Sequence, residues 1–583
     1  MPTSYYTITN EYLFANDYAI KKLKLKSPTM VSGNKSTFLN GVSVGNVTLQ
    51  VPEHLITVYK QDSYWYNYGG FEPIPSDEIN YWEIRQPLKL TYRDRFAGNP
   101  DVKFFGNGSL TINGDSAMNL HNVSTYQNMN YPQRGTTSFV LSNCDNIVIT
   151  GELESRIYTT NNIWYAISLP YDFKVSDITT SNGAKYAIRY YDGAHRAENG
   201  NGNNWVDLPA DTIVTAGTGF IYRTSKDCTS TFHAQNNGSK QTMFGNSEFA
   251  KQLQSHPSED EAHKGWNLVG NPYQCYYNIH KLNTTAPITV YNYGTWHTSG
   301  WNNNVYYNSE GVHDIGTYKA YSLIDDDYAL LPNGAFFLQC PDEASTITFP
   351  TNGRQLTSVI TDQNGVKAFV QRPELRKLID LWLFTEGTEQ TEDTEGFYDQ
   401  TRVVFNPTAR LGYERSCDAS KFANEDMSLP QLYTIGEGNI RYAINERPVE
   451  DGTVQLGLYI PAEGQYTFRI NRNRQAGTIL LYDELEGTTT DITNTDYTFH
   501  AQAGTTDHRF QLVAQSLVTD VTEIPETKHF AIATEGGIQI LGEATVYGLD
   551  GRLVARTKGG YVPMKQGVYI VRQGNNAEKI TVK

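Results

Sequence analysis

Two stretches, WYAISLPYDFKVSDI (164–178) and WNLVGNPYQCYYNI (266–279), read as one phrase written twice. In each, a proline stands six positions after the tryptophan (Pro170, Pro272), a tyrosine follows it (Tyr171, Tyr273), and an isoleucine comes after a polar interval (Ile178, Ile279). Proline cannot donate to a strand ladder, so it closes the first strand of each phrase. Downstream, AIRYYDG (187–193) answers TVYNYG (289–294), and GTGFIYR (217–223) answers NGAFFLQ (333–339). The spacing predicts a duplicated β-module over 161–352, with repeats near 164–223 and 266–339, whose two copies pack their apolar faces into one core. Between the copies, NSEFAKQLQSH (246–256) reads as a helix, with Asn246 as N-cap, Glu248 in the first turn, and Phe249 and Leu253 on one face.

The rest of the 583-residue chain extends the same theme. Tyr (40) nearly matches Lys plus Arg (47), Gly is 48, and only 19% of residues are charged, a balance that favours strands and turns. The expected fold class is therefore all-β and multidomain, built of antiparallel β-sandwich or Ig-like modules. In residues 1–160, GNVTLQV (45–51), GSLTING (108–114) and NIVITGE (146–152) are β runs bounded by Asn or Gly. The last two are spaced as successive turns of a β-solenoid would be, though a sandwich gives the same local pattern, so both remain open. Residues 353–515 read as a β-sandwich with strands at LIDLWLF (378–384), TRVVFN (401–406), VQLGLYI (454–460), QYTFRI (465–470) and TILLYD (478–483). Residues 516–583 read as a linker followed by a small terminal unit.

A net charge of −16 argues against a nucleic-acid partner, because polyphosphate binding depends on Lys and Arg releasing counterions. The only basic run, KKLKLK (21–26), alternates with Leu and reads as a lysine-blunted edge strand. The five cysteines (144, 228, 275, 340, 417) have no metal-ligand spacing, and one disulfide is compatible with them. No apolar stretch reaches the ~20 residues of a membrane span. The start, MPTSYYTITNEYLF, lacks a basic and an apolar leader region, so a leader is expected to have been removed or truncated.

No catalytic residue, metal site or cofactor is expected. GVSVG (41–45) matches a serine-hydrolase elbow in letters, but a strand and a proline follow it where a helix is required. The acidic runs DDD (325–327) and DELE (483–486) lack the spacing of a calcium loop and read as solvated turn acids. In YNYGTWHTSGWNNNVYYN (291–308), Trp296, Trp301, Tyr306 and Tyr307 alternate with Asn. They make either a platform offering ring faces and amides to a sugar, or a loop packed over the duplicated core.

The chain ends with TVYGLDGRLV (545–554), PMKQGVYIVRQ (563–573) and AEKITVK (577–583). Asp550-Gly551 is a turn signal, GVYIVR is apolar on both faces as a central strand is, and GNN (574–576) turns the chain into a closing hairpin strand. A small antiparallel sandwich is expected. This stretch resembles the C-terminal sorting domain of type IX secretion system (Por secretion system) cargo proteins of Bacteroidetes. Val546, Tyr547, Leu549, Gly551, Arg552 and Val554 fit its strand-turn motif, Gly567, Val568, Tyr569, Ile570, Val571 and Arg572 its central strand, and Lys579 and Val582 its closing strand. Gly548 departs from the usual Asp or Asn. The resemblance implies export to the cell surface or exterior, with an outer-membrane secretion machinery and a sorting protease as partners, and with Gly551, Arg552, Gly567, Val568, Tyr569, Arg572 and Lys579 carrying the signal. The expected function is non-enzymatic, adhesive or glycan-binding. The alternative is a fragment of an exported polysaccharide-active hydrolase or lyase whose catalytic part is N-terminal or missing.

Overall fold

Residues 81–159 wind into three-sided coils of parallel strands. The structure, a computed structural model, describes residues 20–582 apart from 27–42, 75–80, 86, 92–100, 107, 114–117, 130–137, 143–146, 236–247, 293–295, 298–299, 303–304, 308–311, 314–316, 341–344, 361–375, 386–398, 424–428, 449–451, 473–476, 516–529, 535, 550 and 575. On one side, Tyr81–Ile84, Asp101–Phe104, Val123–Asn128 and Leu153–Thr159 run parallel. A second side carries Pro87–Thr91, Ser109–Asn113 and Ser138–Ser142, and a third carries Met118–Leu120 and Ile147–Ile149. Residues on Val123–Asn128 and Leu153–Thr159 alternate buried and part-exposed. Inward positions therefore stack coil on coil: Val102 beside Val123 beside Leu153, with Thr125 Oγ1 donating to Ser155 Oγ at 2.9 Å.

The N-terminal region is thus a short β-solenoid, but the phrases that suggested it do not mark equivalent positions. Ser109–Asn113 of GSLTING lies on the second side and Ile147–Ile149 of NIVITGE on the third. Every side of a coil requires the same short alternating strand between Asn or Gly corners, so similar phrases recur within one coil as well as between coils. Further toward the N-terminus, Lys22–Lys24, Thr48–Val51 and Gly70–Pro73 form another parallel sheet, with Lys22–Lys24 at its edge.

The last solenoid strand also begins the next domain. Leu153–Thr159 pairs in parallel with Val123–Asn128 on one edge and antiparallel with Cys228–His233 on the other. That strand belongs to the first copy of the duplicated module, so the open end of the parallel stack is capped by backbone from the following unit.

The two copies share one topology. Tyr165–Ser168, Gly219–Thr224, Tyr186–Tyr191 and Trp205–Asp207 lie side by side in that order, as do Trp266–Gly270, Ala335–Gln339, Ile288–Asn292 and Thr317–Tyr321. The tyrosine after each proline does equivalent work: Tyr171 Oη donates to the Phe232 carbonyl at 2.8 Å, and Tyr273 Oη to the Phe349 carbonyl at 2.7 Å. The copies meet about a pseudo-two-fold axis. Ser168 N donates to the Asn333 carbonyl and Gly270 N to the Gly217 carbonyl, both at 2.9 Å, and the paired positions correspond between copies. Gly217 (φ 66°) and Asn333 (φ 54°) both adopt the left-handed conformation.

A single shared core was expected, and the packing is divided instead. The first copy merges with the solenoid in one cluster running from Ile84 to Phe232. The second copy has its own cluster around Tyr273, Tyr277 and Phe336. A smaller joint cluster contains Ala166, Ile221, Trp266, Leu268 and Phe337 and admits Phe422 from the next domain.

The expected helix over 246–256 is corrected: Phe249–Gln252 is a strand paired antiparallel with Thr346–Phe349. Phe249 and Leu253 are four residues apart, an even separation that places them on one face of a strand as well as of a helix. A helix that the sequence reading passed over, Gly193–Asn199, starts at Asp192, whose carboxylate accepts from Ala194 N and His195 N.

All five strands expected in 353–515 are present, within one eleven-stranded sheet whose apolar face converges on Ile379, Leu432, Leu456, Phe468 and Phe510. The terminal unit has a three-stranded and a four-stranded antiparallel sheet and its own core, with Val546, Ile538, Ile540 and Val571 fully buried. Among the described residues the architecture is all-β and multidomain, with only short helices.

A Cβ at Gly270 would stand 1.7 Å from Ser168 Oγ across the pseudo-two-fold axis. Gly270→Ser is expected to lower stability by roughly 1–3 kcal/mol in urea titration. Combining it with Ser168→Gly should restore most of the loss, because the side chain then only changes sides.

Candidate functional site

The aromatic loop is placed by its backbone. Trp296 pairs with His313, and Trp301 with Tyr306 in a short hairpin where Gly300 faces Tyr307. The four aromatic positions therefore sit on two small two-stranded ribbons beyond the end of Ile288–Asn292.

The acidic runs divide: Asp327, Glu484 and Glu486 are exposed, as turn acids were expected to be, whereas Asp325, Asp326 and Asp483 are not. Asp325 and Asp326 are buried and face arginines of the eleven-stranded domain. Arg376 Nη1 donates to Asp325 at 2.7 Å and its Nη2 to Glu446. Arg402 forks between Asp326 (2.6 and 3.0 Å) and Asp380 (2.5 and 3.2 Å). Charges removed from water persist only when paired and hydrogen-bonded, so these turn acids became an interdomain lock. In the second run Asp483 is fully buried, held by Arg509 at 2.8 and 2.9 Å and by Tyr497 Oη at 2.9 Å. Burial alone would raise its carboxyl, but these hydrogen bonds outweigh it and hold Asp483 below the usual carboxylate range.

A second contact between the duplicated module and the eleven-stranded domain left no trace in periodicity. Arg196, on the helix Gly193–Asn199, is fully buried, its guanidinium 4.5 Å from the Trp266 ring and 4.1 Å from the Phe422 ring. It donates to Tyr191 Oη at 3.0 Å and Ser420 Oγ at 2.9 Å, and among the described residues no carboxylate pairs with it. Two histidines flank this helix: His256 packs against Gly193, and His263 against Gly200. Burial holds both imidazoles below their ordinary value of 6.5, and for His263 the Arg196 charge adds to it.

In the terminal unit the sorting-motif residues divide between core and surface. Gly551 (φ 77°) closes the turn with its N–H on the Gly548 carbonyl at 2.9 Å. Gly567–Gln573 is central, between Ala544–Gly548 and Asn576–Val582. Val546, Val571 and Val582 point into the core. Tyr569 packs on that core and donates its hydroxyl to the Lys565 carbonyl at 2.8 Å. The opposite face carries a cross-strand row, Leu553, Tyr547, Ile570 and Lys579, and a neighbouring row with Arg556, Thr545 and Arg572. A bulge between Val546 and Tyr547 leaves Leu553 and Val554 exposed with Leu549. Arg552 is exposed, and Gly567 and Val568 are half-buried.

Cys228, Cys275 and Cys417 are free thiols, and Cys144 lies outside the described residues. No described helix is long and apolar enough to cross a membrane. A family model for a domain of unknown function, DUF8693, matches residues 93–513. The match takes in solenoid coils, the duplicated module and nearly all of the eleven-stranded domain, and stops before the terminal unit. No curated protein and no solved structure matches the chain.

Removing the Arg402 side chain with Arg402→Met would strand Asp326 and Asp380 without their cation, a loss of about 3–5 kcal/mol, measurable by denaturant titration. The histidines set a pH dependence. Their folded-state values lie below 6.5, so the stability they contribute is complete above pH 6.5 and is lost as pH falls below it. Melting temperatures should therefore drop as the pH is lowered from 6.5, and His263→Gln should flatten that slope.

Proposed function

We propose that this chain, which belongs to the DUF8693 family, is a non-enzymatic β-domain protein displayed at or released from the cell surface. On this reading residues 93–513 form an adhesive or glycan-binding body and the last unit is a detachable export address. One observation carries the reading: the last unit has a closed core of its own. The family match ends before that unit begins. A separately folded address can be docked, and then cleaved off, without disturbing the body. The division of the motif supports this, since Val546, Val571 and Val582 build the core while Tyr547, Ile570, Arg572 and Lys579 face outward, where a receptor could read them. The unit meets the body at Gly560, where an added Cβ would stand 2.6 Å from Tyr482 Oη.

A second reading, a portion of an exported polysaccharide-active hydrolase or lyase, is favoured by the parallel coils, because a solenoid offers one continuous face to a linear polymer. Turnover of polysaccharide by the purified chain would move the assignment there.

Expression in the native host, with its leader retained, tests the export reading. Deleting residues 530–583 is expected to keep the protein inside the cell, and Arg572→Glu with Lys579→Glu should do the same without lowering the melting temperature. Undiminished export of the deletion variant overturns it.

A further inference from the structure

The outward face of the first solenoid sheet carries a row of cations and rings. Arg85 and Phe105 are neighbours at the ends of adjacent coils, where Phe105 N donates to the Ile84 carbonyl at 2.9 Å. The Val102–Val123 register continues the row to Tyr126, and Tyr126 is paired directly with Arg156. Four successive coils thus present Arg85, Phe105, Tyr126 and Arg156 in line, about 4.8 Å apart. The sequence reading could not see this, because Val102, Val123 and Leu153 mark coils of 21 and 30 residues, and no fixed period links the four positions.

The charges gather on the rings. Three cations surround Phe105: Arg85 at 4.1 Å, Arg156 at 4.8 Å and Lys103 at 5.4 Å from its centroid, with Arg156 also 5.6 Å from Tyr126. Arg156 is fixed in place, donating through Nε to Ser124 Oγ and through Nη2 to the Phe104 carbonyl, each at 2.8 Å. Lys103 makes no ion pair among the described residues. The acids beside the row are engaged: Glu83 holds Arg85 at 3.0 and 3.2 Å, and Glu154 accepts from Ser124 Oγ at 2.6 Å. Arg85 still leaves 43% of its side chain exposed. In a chain of net charge −16, a local line of guanidinium, ring, ring and guanidinium is a specific departure.

We infer that this row is a binding site for an acidic polysaccharide, whose carboxylates or sulfates meet Arg85, Lys103 and Arg156 gathered around Phe105 while a sugar face lies on Tyr126. Aromatic faces accept the C–H side of a sugar ring, and planar guanidiniums pair bidentately with oxyanions. A step of one coil approximates one pyranose, so a linear polymer laid across the strands meets equivalent positions in turn. The inference rests on the glycan-binding part of the proposed function, and it moves the ligand from the 291–308 loop to the solenoid.

The purified full chain is run in native affinity electrophoresis against polygalacturonate, its fully methyl-esterified form, and chondroitin sulfate. Retardation by polygalacturonate or chondroitin sulfate, weakened by salt and absent with the esterified polymer, supports the site, and the two acidic polymers separate a carboxylate from a sulfate ligand. Arg85→Gln combined with Lys103→Gln should weaken binding about tenfold, the loss of one good charge-assisted contact. Arg156→Gln should do so further, with melting curves showing that each variant is folded. Retardation by none of the acidic polymers, equal retardation by the esterified one, or binding unchanged in the double variant overturns the inference. Binding lost in Trp301→Ala but kept in the double variant overturns it while leaving the glycan-binding reading standing.

Discussion

The edge of a parallel stack is the constraint on which this molecule depends. A solenoid can add coils indefinitely, and its last rung presents unpaired N–H and C=O groups to whatever comes next. Here the last rung, Leu153–Thr159, is paired antiparallel by Cys228–His233, and that cap belongs to the first copy of the duplicated module. The solenoid and the first copy consequently share one core. The second copy is held to the first by backbone bonds at the pseudo-two-fold axis and to the eleven-stranded domain by Asp325 and Asp326, while the first copy reaches that domain through the Arg196–Phe422 contact. Coil, duplicate and sheet are joined in series, each closing an edge or neutralising a charge left open by the one before.

Legibility in the sequence followed the range of the interaction. The duplicated phrase was readable because proline, tyrosine and the apolar alternation act within a strand and its turn, and the two tyrosines do the same work in each copy. The five strands of the eleven-stranded domain were readable for the same reason. Where a signal has two solutions the reading failed, as at Phe249 and Leu253, whose spacing satisfies both a helix and a strand. The partners of Asp325 and Asp326 lie 51 and 76 positions away, so burial of that acidic run could not be read from its neighbours. Arg196 is further still from Ser420, and the row from Arg85 to Arg156 is hidden by unequal coil lengths. At the aromatic loop the sequence gathers the right residue types, and the backbone places them on two ribbons beyond the second copy's sheet.

Body and tail differ in how they use charge. The body buries several of its ion pairs, and among these Arg376, Arg402 and Asp483 serve the architecture. The tail holds its core together with valines and isoleucines and leaves its arginines and Lys579 outside. A body built this way resists rearrangement, while the tail offers a readable surface at little cost to its own stability. That division is the one the proposed export function calls for.

The crowding between Ser168 and Gly270 reaches beyond folding. Duplicated segments within one gene tend to be made alike by recombination, and most repeat proteins tolerate it. Here, copying the first half onto the second would place two serines where the axis has room for one. The module is barred from becoming a perfect repeat in that direction, and the geometry of the axis keeps this difference between its halves.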